Sequence, residues 1–143
     1  MFRKKKHFIS GIVSPQMTVQ RLNLSFHTKK NTNGGWIGGI AGRTEIDNQG
    51  KVVIQHCKTE GKISFSRTGC AGGIVGYLSG TTGRIISCVN YTSVTGKNYY
   101  SGGIAGQCYY GVIDQCCNEG VVQSNITGAV SGGITGEINT GEI

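Results

Sequence analysis

The sequence predicts an all-β fold: a right-handed parallel β-solenoid of about 30-residue coils, the last coil incomplete. Three observations carry this. The pentapeptide Gly-Gly-Ile-x-Gly occurs four times, beginning at Gly38, Gly72, Gly102 and Gly132, with steps of 34, 30 and 30 residues. A fixed period in that range marks a stacked repeat. Apolar residues come in short β-branched runs bounded by Gly, Asn, Ser and Thr, which reads as strand and turn; a helix needs three- and four-residue spacing over ten or more residues. Finally, 25 glycines accompany a single proline, Pro15. Glycine at the corners supplies positive φ and room for close backbone approach, and few prolines suit a backbone whose N–H groups serve in ladders.

Taken in order, residues 1–33 form a basic N-terminal segment with a divergent capping coil. Residues 1–30 hold seven basic side chains and no acid. Arg3-Lys4-Lys5-Lys6 reads as a solvated terminus. As the start of a signal peptide it fails, because Phe8–Ser14 is short, broken by polar residues and followed by no convincing cleavage site. Val19 to Phe26 alternates like a strand, and His27 to Asn33 reads as a polar turn. Residues 34–143 are the repeats, with copies starting near 38, 72, 102 and 132, and from residue 31 onward seven basic residues balance seven acidic ones. No apolar run approaches the roughly 20 residues of a membrane span. The basic residues have no interleaved aromatics in the body, so no nucleic-acid partner is expected.

Each coil is expected to hold three short strands and three turns. Its apolar nuclei are the Ile of the glycine motif, an Ile-x-x-Cys pair, and a β-branched residue six after the cysteine. Stacking then gives ladders: Ile40, Ile74, Ile104 and Ile134; Cys57, Cys88 and Cys116; Ile54, Ile85 and Ile113; Ile63, Val94 and Val122. Thr44, Leu78, Cys108 and Ile138 form a further column read as partly inward. An Asn or Thr lies two after each ladder cysteine. The ending Gly141-Glu142-Ile143 falls inside a coil with no polar cap after it. The expectation is a fragment of a longer repeat protein, or else a small protein that associates end to end, since uncapped coils expose strand edges.

Six cysteines would suggest a disulfide framework in a small secreted chain. Three of them recur at one repeat position, however, which fits reduced thiols packed as small hydrophobes; pairing among Cys70, Cys108 and Cys117 stays open. No zinc-type spacing occurs, and His56-Cys57 and Cys116-Cys117 are adjacent pairs that a strand sends to opposite faces. No metal or cofactor is expected. Nucleophile elbows, H-E-x-x-H and phosphate-loop motifs are absent from the sequence, so no catalytic residue is assigned. His7, His27 and His56 are scattered. Of the acids Glu45, Asp47, Glu60, Asp114, Glu119, Glu137 and Glu142, only Glu60 and Glu119 share a register; with Tyr91 in the coil between, they would stand about 10 Å apart. That separation would suit an inverting pair, and solvated turns explain them otherwise. The candidate partner-binding residues are aromatic: Tyr77, Tyr99, Tyr100, Tyr109 and Tyr110, which lie around the third glycine motif and suit stacking on a sugar ring or anchoring a protein. Tyr91 lies in the same two coils.

Gly-Gly-Ile-[Ala/Val/Thr]-Gly followed by Ile-x-x-Cys-x-[Asn/Thr]-x-[Gly/Thr]-x-[Ile/Val] resembles the GLUG repeat, with Ile where that family has Leu. The resemblance covers about residues 34–143 and is clearest from Ser101 to Val122. It implies large bacterial cell-surface proteins, including haemagglutinin-like adhesins and non-catalytic repeats of some IgA-cleaving metallopeptidases. The expected function is therefore a non-enzymatic structural or adhesion module, a fragment of an extracellular surface protein meeting a host or matrix glycan or protein. The alternatives are a polysaccharide-active β-helix enzyme and a solenoid that self-assembles without ligand.

Overall fold

The computed structural model describes residues 12–13, 17–31, 34–44 and 51–143. Arg3–Lys6, His7, Pro15, Glu45 and Asp47 lie outside them. The chain winds as a parallel β-solenoid of five sheets. Sheet 1 stacks β1 (Ile12–Val13), β6 (Ala41–Thr44), β11 (Val75–Ser79), β16 (Ala105–Tyr109) and β21 (Thr135–Asn139). Sheet 2 stacks β2 (Met17–Gln20), β7 (Val52–Gln55), β12 (Arg84–Ile86) and β17 (Val112–Asp114). Sheet 3 holds β3 (Asn23–Ser25), β8 (Lys58–Glu60), β13 (Val89–Asn90) and β18 (Cys117–Asn118). Sheet 4 holds β4 (Lys29–Asn31), β9 (Lys62–Phe65), β14 (Ser93–Gly96) and β19 (Val122–Ser124). Sheet 5 holds β5 (Gly35–Gly38), β10 (Gly69–Gly72), β15 (Tyr100–Gly102) and β20 (Val130–Gly132).

Each coil thus has five strands, where three were expected. The extra corners arise because Gly or a polar residue interrupts every apolar nucleus after two to five residues, too few to carry a strand around a wider bend. Residues 29–31, expected in a turn, are a strand paired with Ile63, Ser64 and Phe65. Residues 17–31 therefore stack in register with the coil above them.

The expected ladders are inward. Ile40, Ile74 and Ile104 are fully buried, as are Ile54, Ile85, Ile63 and Val94. Val122 and Ile134, in the last coils, are half-buried. Thr44, Leu78 and Cys108 are also sealed, while Ile138 is exposed. Burial of each such Ile contributes roughly 1.5–3 kcal/mol, so the stack rests mainly on these columns.

The motif glycines are needed for approach. None of the twelve has positive φ. A Cβ on Gly73 would lie 2.2 Å from Asn90 Cγ, and one on Gly103 2.1 Å from Asn118 Cγ. The glycine corner therefore presses on the Thr59–Asn90–Asn118 column across the coil. This pinches the cross-section and separates two cores, one around Ile40, Ile54 and Leu78, the other Ile63, Phe65, Ala71 and Val94. Positive φ appears at other corners, and not on glycine alone. Between sheets 2 and 3 it falls on Arg21 (53°), His56 (52°), Ser87 (51°) and Gln115 (52°), which corrects the expectation of glycine at every turn. The next residue in each coil, Leu22, Cys57, Cys88 or Cys116, enters the core.

Candidate functional site

Two outward columns meet along the boundary of sheets 5 and 1. In sheet 5, Trp36, Cys70, Tyr100 and Val130 stand in register. In sheet 1 the matching column is Arg43, Tyr77, Gln107 and Glu137. The sharp Gly-Gly-Ile corner folds one strand back toward the other, so the columns touch. The Arg43 guanidinium lies 4.7 Å from the Trp36 ring centre and 5.4 Å from that of Tyr77. Trp36 and Tyr77 are 5.9 Å apart and tilted by 33°. Further along, the Cys70 thiol donates to Gln107 Oε1 at 3.5 Å, and Gln107 Nε2 donates to Glu137 Oε2.

The electrostatics follow from this crowding. Burial pushes the Cys70 thiol up to about 12, helped by the charge of Glu137. The same carboxylate raises the Tyr100 hydroxyl. Burial raises Tyr77, while Arg43 opposes it. These groups stay neutral at physiological pH, and the stripe runs from a cation at Arg43 to an anion at Glu137.

The tyrosines expected to bind a partner divide. Tyr77 and Tyr100 belong to the stripe. Tyr109 lies on the same face of β16, two residues past Gln107, and stacks edge-on against Tyr110 at 4.5 Å. Tyr110 occupies a positive-φ turn (66°) and is exposed. Tyr99 is exposed at the turn before β15, and no ring contact joins it to the stripe among the described residues. Trp36, Arg43, Gln107 and Glu137 escaped the sequence reading. Their signal was positional: one column stands two residues before each motif, the other five after its first glycine.

Elsewhere, Glu60, Tyr91 and Glu119 stack on successive coils, since Tyr91 N–H donates to Thr59 O and Glu119 N–H to Asn90 O. All three are exposed, and Lys58 lies 4.6 Å over the Tyr91 ring. His56 is exposed at its strained corner. Cys57, Cys88 and Cys116 form the inward thiol column, with Cys57 N–H donating to Cys88 Sγ at 3.4 Å. All six cysteines are free thiols. Hydrogen bonding from Cys88 lowers Cys57 to about 7 and also lowers Cys116, while Cys88, between two thiols, is raised. Among the described residues no group of three or more His, Cys, Asp or Glu is placed to hold a metal ion. No helix there is long and apolar enough to cross a membrane. Comparison of the chain with protein-family models, with curated proteins and with solved structures returns no match.

Proposed function

We propose that this chain is a non-enzymatic structural and adhesion module, a segment of a bacterial cell-surface protein resembling the GLUG-repeat proteins. Its mechanism is geometric: a ladder-bonded rod holds side chains in register and offers them to a host or matrix glycan or protein. The observation that carries this reading is the paired outward stripe, in which aromatic and polar side chains are fixed on strands and need little ordering on contact. A rigid scaffold of this kind suits binding surfaces repeated along an axis.

The test is a binding screen of the immobilised chain on glycans and matrix proteins. Saturable binding that drops when Tyr77, Tyr100 and Tyr109 are changed to Ala is expected. Surface labelling of source cells should also reach the protein. The enzyme reading draws on the shared register of Glu60 and Glu119. It predicts new reducing ends when the chain is incubated with acidic polysaccharides, and their appearance, lost on Glu60→Gln or Glu119→Gln, would overturn the adhesion reading.

A further inference from the structure

We infer that the Trp36–Arg43–Tyr77 cluster is a subsite for a carboxylated sugar ring, and that an acidic polysaccharide is the ligand of this face. The inference rests on the adhesion reading and names its ligand class. It begins with Arg43. Among the described residues its guanidinium makes ring contacts but no hydrogen bond or ion pair, and its Nε is buried without a partner. A guanidinium cannot shed its charge, so it is a standing donor for an anion. The nearest acid on its own column is Glu137, three rungs away, about 14 Å at the inter-strand spacing. Trp36 and Tyr77 hold the cation in place, so little side-chain freedom is lost when a carboxylate docks on its fork.

The rings indicate what carries that carboxylate. Trp36 is 43% exposed, and it shares a continuous surface with Tyr77. A pyranose ring presents a flat C–H face that stacks on such rings while its substituents reach polar neighbours. Gln107, Tyr100 and Glu137 continue the stripe at one step per coil and offer amide, hydroxyl and carboxylate groups to sugar hydroxyls. An acidic peptide fits less well. Strands β6 and β11 are paired on both sides, so sheet 1 has no free edge there for a peptide backbone. Charge also sets polarity. Residues 98–143 contain no Lys or Arg and include Asp114, Glu119, Glu137 and Glu142, so an anionic chain is anchored at the Arg43 end.

Trp36 is the sole tryptophan, which makes intrinsic fluorescence a local reporter of the site. The full chain is titrated with polygalacturonate, with its methyl-esterified counterpart, and with polyglutamate. A saturable change with polygalacturonate is expected, weaker by about tenfold or more for the ester, because the charge-assisted contact is lost. Arg43→Gln should weaken binding similarly, while Lys97→Gln, at an exposed turn away from the stripe, should leave it nearly unchanged. Arg43→Lys keeps the charge but loses the planar fork, and should fall between. Equal loss in Arg43→Gln and Lys97→Gln, or equal binding of ester and acid, would reduce the effect to general charge attraction or simple stacking and overturn the proposal. Polyglutamate binding as tightly as polygalacturonate would overturn the sugar assignment. The ester comparison uses the unmodified chain, so the proposal is decided even if a variant does not fold. Binding of other ligands in the screen without polygalacturonate would sink this subsite alone and leave the adhesion reading standing.

Discussion

A methyl group on Gly73 would sit 2.2 Å from both Asn90 Cγ and Gly103 O, closer than any real contact. Asn90 is held by four hydrogen bonds, and Gly103 O belongs to backbone, so neither yields cheaply. Gly73→Ala should therefore destabilise the chain by about 1–3 kcal/mol or more, as overpacking does. Gly133 holds the same motif position one coil beyond Gly103, and a Cβ there meets nothing within 4 Å. Gly133→Ala should be neutral or stabilise slightly, by restricting the unfolded chain. Denaturant midpoints of the two variants give the comparison. His56 offers the opposite kind of test. It is exposed with φ of 52°, a conformation Asn tolerates better than His. His56→Asn should raise the midpoint by a few tenths of a kcal/mol to about 1 kcal/mol; a lower midpoint would mean that the imidazole is used. The motif glycines were legible in the sequence, but their reason was not. Their opposite number across the coil, Asn90 or Asn118, lies about 15 residues away and becomes a neighbour only when the coil closes.

Among the elements, sheet 3 carries a polar ladder inside an apolar rod. Thr59 Oγ1 donates to Asn90 Oδ1 at 2.8 Å, and Asn90 Nδ2 donates to Asn118 Oδ1 at 2.7 Å. Asn90 also donates to Thr92 O and accepts from Thr92 N–H, and Asn118 repeats the pattern with Gly120. Each amide thus closes its own corner and bonds the next coil. Asn90→Ala would strand several buried partners and should cost roughly 2–4 kcal/mol. Asn118→Ala, at a half-buried position, should cost less. An equal cost would mean that the ladder is not what the folded state depends on. Sheet 4 contains the exception to an apolar column. Lys29 pairs with Ile63 at the first rung, and its Nζ donates to Gly38 O at 2.9 Å and Gly39 O at 3.0 Å. These are glycine-corner carbonyls of the first motif copy. Burial lowers this ammonium to about 8 from 10.5. Folding therefore disfavours its charged form, and at pH between those values the unfolded chain binds more protons. The contribution of Lys29 to stability should rise as pH climbs from about 8 toward 10.5. The melting temperature of the native chain minus that of Lys29→Met should increase across that window; a flat difference would place the ammonium in water.

Over the whole molecule, burial falls toward the last coil, because each coil is covered by its neighbours alone. The thiols report this directly. Cys57, Cys70, Cys88 and Cys108 are buried, Cys116 is intermediate and Cys117 is exposed. Alkylation of the native chain should modify Cys117 first and Cys116 more slowly, with the other four reacting only on unfolding; peptide mass mapping reads the order. Glu119 raises the Cys117 thiol through a hydrogen bond and its charge, so Glu119→Gln should speed that first step. Fast labelling of Cys88 would contradict the stacked column.

The sequence by itself determined the stack. Four equally spaced motifs set the period, and any period-preserving stack puts Ile over Ile and Cys over Cys, because parallel pairing keeps equivalent residues in register. It also exposed Tyr77, Tyr100 and Tyr109 as unusual, since six tyrosines gather in two coils. Only the tertiary structure decided how many corners a coil has, and which of them bear positive φ on non-glycine residues. It also decided that Trp36, Arg43 and Tyr77 meet. Those three come from different strands, and Trp36 and Tyr77 stand 41 residues apart. Their contact follows from the angle at the glycine corner, a property of the closed coil that no local pattern encodes.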